Sequence, residues 1–135
     1  MLDIQKSDFN KSSEAGFEFE VKLPTGEATG AFVKVRGVQS PTVKAFSRRK
    51  YSEMESQRQM ARRRGKDMPE MTLEEAEDAV VESAVVRTIG WRGLTNGTSI
   101  LEFSKENAAE LFRNHDWIRA QVMEASDDIL NFRPV

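Results

Sequence analysis

From Phe17 the chain alternates, with Phe17, Phe19, Val21 and Leu23 set against Glu18, Glu20 and Lys22, the period of two of a strand that buries one face. Pro24-Thr25-Gly26 and Gly30 supply turn residues, and Phe32-Val33-Lys34-Val35-Arg36 resumes a β-rich run. Residues 17–37 therefore predict a β-hairpin, ended by Gly37. Before it, residues 1–16 are polar around isolated Leu2, Ile4 and Phe9, show no periodic apolar face and predict a flexible N-terminal arm.

Beyond the hairpin the spacing becomes helical. Ser40 is a good N-cap and Pro41 a good first helical residue, since Pro has no backbone donor to lose there. The helix predicted over 41–64 carries only a narrow apolar stripe of Val43, Phe46, Tyr51, Met54 and Ala61, so much of it is expected to stay wet, and Gly65 stops it ahead of Pro69. Thr72 and Glu75 form a capping-box pattern that starts a helix at Leu73, with acidic residues in its first turns where the helix dipole favours them. Its later part, through Val80-Val81, Val85-Val86 and Ile89, is apolar over a wide arc and is expected to lie centrally. Gly90 to Leu94 breaks it into a structured loop, and Asn96-Gly97 suits a tight turn. Ser104 caps a short helix bearing Ala108, Ala109, Leu111 and Phe112, and Trp117, Ile118, Gln121, Val122, Ala125 and Ile129 define a last amphipathic helix. The expected fold is α+β: a small N-terminal β-hairpin or sheet followed by about four helices, with 73–130 as a helical core and 17–135 as one globular domain.

Composition narrows what such a domain does. There is no cysteine among the 135 residues, hence no disulfide framework, thiolate nucleophile or Cys-bound metal. No run nears the about 18 apolar residues of a membrane span, and Met1-Leu2-Asp3-Ile4 does not open like a signal peptide, so the host cytoplasm is the expected location. The net charge of −2 hides a segregation: residues 48–66 hold eight Lys or Arg against two Glu, whereas 67–135 hold six basic and fourteen acidic residues.

Candidate chemistry is sparse. His115 is the single histidine and its neighbour Asp116 points elsewhere on a helix start, which makes a poor catalytic pair and leaves a surface or capping role. Asp127-Asp128 and the Glu74 to Asp78 cluster lack the spaced ligands and turning glycine of a calcium loop and read as solvated helix faces. No glycine-rich phosphate loop is present. These residues predict a protein that is not an enzyme and uses no cofactor or metal. The sharp electrostatic feature is Arg48, Arg49, Lys50, Arg58, Arg62, Arg63, Arg64 and Lys66, which could neutralise nucleic-acid phosphates or, the preferred reading, meet the acidic half of the same chain or of a neighbouring subunit in a homo-oligomer.

The segment from Ile89 through Phe132, reading IGWRGLTNG, LEFSKENAAELFRNHDWIRAQVMEAS and NF, resembles the C-terminal signature of the phage tail assembly chaperones of long-tailed phages and prophages. Upstream, Phe32-Val33-Lys34-Val35, Ser40-Pro41, the Arg-rich helix and Thr72-Leu73-Glu74-Glu75 follow in the same order, so the resemblance covers about residues 28–132. One departure is Glu102, where such proteins commonly carry Pro ahead of the Phe-Ser pair. The resemblance implies a protein that binds the tape measure protein, helps recruit tail tube subunits during tail morphogenesis and leaves before the virion is complete. The alternatives are a structural tail or neck component retained in the virion, and a nucleic-acid-binding regulator using 48–66. Partner contact is expected at Arg62, Arg63 and Arg64, and at Ile129, Leu130 and Phe132 if these stand in solvent rather than closing the core.

Overall fold

A computed structural model describes residues 1–134; Val135, the last residue of the predicted domain, lies outside the described residues. The fold is mixed α+β. Its hairpin pairs β1 (Phe17–Lys22) with β2 (Ala28–Val35) in antiparallel register, Phe17 opposite Val35 and Phe19 opposite Val33. Four α-helices follow it: α2 (Pro41–Arg63), α3 (Leu73–Arg87), α4 (Lys105–Asn114) and α5 (Asp116–Asp127), the last leading into a 3₁₀ turn over Ile129–Phe132. The predicted cap hydroxyls of Ser40, Thr72 and Ser104 each accept from their first turn, although among the described residues Glu75 does not return the bond that a full capping box requires. Ser104 Oγ accepts from the Asn107 amide at 3.0 Å and Thr72 Oγ1 from the Glu75 amide at 3.1 Å, satisfying donors that the first turn leaves free.

Besides the last helix, which ends at Asp127 and leaves Ile129, expected on its apolar face, to the 3₁₀ turn, two elements differ from expectation. A helix, α1 (Phe9–Ala15), occupies part of the predicted arm. Asp8 caps it by accepting from the Lys11 amide at 3.0 Å, Ser13 is fully buried, and Ser12 Oγ donates to the Phe132 carbonyl across the fold. With about two turns and no repeating apolar face of its own, α1 depends on those distant partners. The second difference is β3 (Thr88–Arg92), which begins where the third helix was expected to continue to Ile89. It adds to the free edge of β2, Val33 opposite Trp91 and Val35 opposite Thr88, giving the sheet order β1-β2-β3. A two-stranded hairpin is marginal alone and an unpaired inner edge costs hydrogen bonds, so the β-branched Thr88-Ile89 pair goes to the ladder rather than to another helical turn. Two very short strands, β4 (Thr95–Asn96) and β5 (Ser99–Ile100), flank the predicted Asn96-Gly97 turn, with Gly97 at φ 65°. Strands over 88–100 thus interrupt what was expected as a helical core over 73–130.

The core lies between the sheet and the helices. Val21, Ala31, Val33 and Val35 line one sheet face and pack with Val81 and Ala84 of α3, Ala108 and Phe112 of α4, Ile118 and Val122 of α5, and Phe132. Burying each larger side chain contributes about 1.5–3 kcal/mol. α3 is the element that touches both α4 and α5 as well as β3, in keeping with its wide apolar arc. Polar groups tie the same region: Arg36 Nη1 donates to the Val86 carbonyl at 3.0 Å, and Ser126 Oγ donates to the Arg36 carbonyl at 2.6 Å.

Candidate interaction surfaces

The longest helix, α2, is tied to the rest of the chain over its first ten residues, Pro41 to Lys50. Ser40 Oγ accepts from the Thr42 amide at 3.1 Å and donates to the Glu14 carboxylate, which also accepts from the Thr42 amide at 3.3 Å and the Thr42 hydroxyl at 2.5 Å. Partial desolvation pushes the Glu14 carboxyl up, but those hydrogen bonds and the nearby Arg36 guanidinium outweigh it and hold the pKa below the ordinary carboxylate value. A carboxylate at a helix N-terminus is also favoured by the dipole. One turn on, Val43 is buried, and Phe46 is half-buried beneath Arg49 and Lys50, whose charged groups lie 5.4 and 5.7 Å from its ring centroid. Lys50 then reaches Glu82 of α3 at 2.9 Å, and that hydrogen bond raises the lysine's pKa.

Past Lys50, every residue of α2 is exposed except Glu55 and Ala61, which are half-buried. The 23-residue helix is about 35 Å long at 1.5 Å per residue, so more than half of it stands away from the core as an arm. This arm and the segment returning to α3 hold four of the six methionines, and Met54, Met60, Met68 and Met71 are all exposed, together with Tyr51, Leu73 and Val80. Tyr51 and Met60 are nine residues apart, about two and a half turns, and so lie on opposite sides of α2. The arm therefore offers apolar groups in more than one direction.

Comparison with known proteins adds one identification. The family model described as YdaY prophage protein matches residues 43–135. The chain belongs to that family. No curated protein matches it, and no solved structure does. The matched span opens at Val43, the first buried residue of α2, and so takes in the whole free part of the arm.

In this prophage family member the predicted contact residues divide. Arg62 and Arg63 at the end of α2 and Arg64 at its C-cap are exposed, and among the described residues none has a carboxylate within 4.0 Å. Ile129 and Leu130 are 44 % and 62 % exposed, but Phe132 is 2 % exposed and belongs to the core. The 3₁₀ turn causes the split: Asp128 Oδ1 accepts from the Leu130 amide at 3.0 Å, Asn131 Nδ2 donates to the Ala125 carbonyl at 3.0 Å, and the tight turn swings Phe132 in against Phe17. Phe132 is accordingly removed from the partner-binding candidates. The arm methionines were not singled out from the sequence as contact residues, although their clustering over 54–71 is visible there.

His115 forms the junction between α4 and α5, and its ring meets Trp117 edge-on at 6.3 Å. Trp91 donates from Nε1 to the Leu101 carbonyl at 2.8 Å and packs edge-on against Phe103, an anchor for the β4–β5 turn. Among the described residues no group of three or more His, Asp or Glu side chains is placed to hold a metal ion, and no helix is long and apolar enough to cross a membrane.

Proposed function

We propose that this prophage protein is a tail assembly chaperone that binds the tape measure protein and helps recruit tail tube subunits, acting in the host cytoplasm and catalysing no reaction. The reading rests on the sequence resemblance over residues 28–132 and on membership of a prophage family. The observation that carries it is the arm. Among the described residues, half of the exposed large hydrophobic side chains, seven of fourteen, fall within residues 51–80. Methionine is flexible and polarizable, so a methionine-bearing helix adapts to apolar helical partners without demanding one fixed shape. Arg and Glu flanking the same stretch keep the free protein soluble. Ile129 and Leu130 supply a second, smaller apolar pair.

Co-expression with the long helical tail protein of the same prophage tests this. The partner should become soluble and co-purify, and Tyr51→Asp with Met54→Asp, both exposed on α2, should abolish the effect while leaving the fold intact. A partner that stays insoluble, or one rescued equally by the double variant, refutes the reading. Finding the chain in purified virions would instead favour a retained structural component.

A second reading has its own observation: Arg48, Arg62, Arg63, Arg64 and Lys66 lack carboxylate partners among the described residues. A nucleic-acid-binding regulator would use them, with affinity falling steeply with salt and lost in Arg62→Ala/Arg63→Ala/Arg64→Ala.

A further inference from the structure

The tip of the arm carries two charge blocks in immediate succession. Residues 58–66 hold five Lys or Arg and no acid, and residues 67–78 hold six Asp or Glu and no base. Within the chain these blocks barely use each other. Arg58 pairs with Glu55 at 2.5 Å and Asp78 with Arg113 at 2.9 Å. That leaves four cations, Arg62, Arg63, Arg64 and Lys66, and five carboxylates, Asp67, Glu70, Glu74, Glu75 and Glu77, with no ion pair among the described residues. Helix-end electrostatics explain Arg62 and Arg63 at the end of α2 and Glu74 and Glu75 at the start of α3. They do not explain Lys66, Asp67 and Glu70 in the segment between.

The apolar groups share the address. Met60, Met68, Met71 and Leu73 are 49 %, 36 %, 57 % and 86 % exposed, and among the described residues Leu73 is the most exposed large apolar side chain after Met1. Met60 also lines a cleft with Ala61, Arg64, Lys66, Asp67 and Pro69.

We propose that two copies of the chain associate through their arm tips, the cations of each facing the carboxylates of the other across a contact made by Met60, Met68, Met71 and Leu73. A two-fold contact repeats every interaction, so a surface that places a positive block next to a negative one is complementary to its own copy turned through half a rotation. Both blocks are then neutralised at once. A polyanion satisfies only the cations and is repelled by the acidic block that follows them directly in the chain, to the extent that its carboxylates lie within the about 8 Å over which charges act at physiological salt. Exposed ion pairs contribute little individually, so burial of the methionines and Leu73 supplies the attraction while the charges set register and reject other partners. The contact requires only this chain; it takes up Met60, Met68, Met71 and Leu73 and leaves Tyr51 and Met54 exposed for the tail partner proposed above. Tyr51, on the far side of α2 from Met60, stays free for such a partner.

Sedimentation equilibrium of the full chain tests it. A monomer–dimer equilibrium is expected, weakened about tenfold or more between low and high salt. The triple variants Arg62→Glu/Arg63→Glu/Arg64→Glu and Glu70→Lys/Glu74→Lys/Glu75→Lys should each be monomeric, and an equimolar mixture should restore the dimer as a heterodimer. Reversal at helix ends could unwind a turn, so a second measurement leaves those charges largely in place. The chain has no cysteine, and a copy with Arg64→Cys mixed under mild oxidation with a copy with Glu74→Cys should give the mixed disulfide in preference to either homodimer. A monomer at every salt and concentration, failure of the mixture to restore association, or random disulfide pairing overturns the proposal. So does duplex DNA binding by a wild-type chain that never dimerises, which would assign the cations to nucleic acid.

Discussion

Replacing Phe132 by Ala distinguishes a ring that closes the core from one that greets a partner. The side chain is 2 % exposed, meets Phe17 edge-on with centroids 6.2 Å apart, and abuts Gly37, where an added Cβ would come within 2.8 Å of the ring. Phe-to-Ala truncation in a full interior costs about 3–5 kcal/mol, the lost transfer energy plus the cavity left behind. Phe132 also lines a cleft shared by α1 and the C-terminal residues. The space can therefore partly refill, which places the expected cost near the lower end, about 3 kcal/mol. A domain of this size has a total stability of about 5–15 kcal/mol, so the variant stays folded with a much reduced margin. Urea unfolding followed by circular dichroism and tryptophan fluorescence reads the change. With a slope of about 1.5 kcal/mol per molar, the midpoint falls by about 2 M. Ile129→Ala/Leu130→Ala, in the same turn but exposed, moves stability by less than about 0.5 kcal/mol per site. A Phe132→Ala cost below about 1 kcal/mol, or an equal cost for the Ile129/Leu130 pair, would refute this orientation of the turn.

Other substitutions test the supports of the arm and sheet. Gly37→Ala inserts a methyl 2.8 Å from both the Phe132 ring and Ser13 Oγ and should cost about 1–3 kcal/mol by overpacking, read from the same urea midpoint. Glu14→Gln weakens the cap of α2 by about 1 kcal/mol at neutral pH, a figure kept small because the carboxylate is 38 % exposed. Because the folded-state pKa of Glu14 lies below the ordinary 4.5, its contribution is complete above about pH 4.5 and is lost as pH falls through the lower folded value. The gap in urea midpoint between wild type and Glu14→Gln should therefore close below about pH 4.5; a gap that widens there would contradict the assignment. Gln121 clamps the end of β1, its Oε1 accepting from the Lys22 amide at 2.9 Å and its Nε2 donating to the Lys22 carbonyl at 2.8 Å. Gln121→Ala should cost about 1 kcal/mol and speed hydrogen exchange at the Lys22 amide.

The arm shows how far a sequence pattern reaches toward a site. The narrow stripe of Val43, Phe46, Tyr51, Met54 and Ala61 implied a wet helix, and α2 is wet past Lys50. That same pattern could not say whether the stripe was covered, because covering depends on what another element brings to it. Val43 finds the core and Phe46 finds cover from Arg49 and Lys50, whereas Met54 remains 42 % exposed. The free arginines were legible as a charge run, but that Glu70, Glu74 and Glu75 leave them unpaired is a statement about distances. Likewise Ile129, Leu130 and Phe132 were indistinguishable by hydrophobicity, and a 3₁₀ turn at Asp128 sorted them.

Hydrogen bonds and periodicities spanning three or four residues determined the hairpin, the starts of α2, α3 and α4, and the course of α5, because Ser40, Thr72 and Ser104 act on donors next to them and an amphipathic face repeats within a turn. Tertiary structure decided the rest. β3 exists because β2 presents a free edge more than fifty residues earlier in the chain, and α1 is anchored by bonds from Glu14 to Ser40 and from Ser12 to Phe132, 26 and 120 residues away. Neither partner is visible to a local pattern, since burial and edge pairing are settled by which distant surfaces the folded chain brings together.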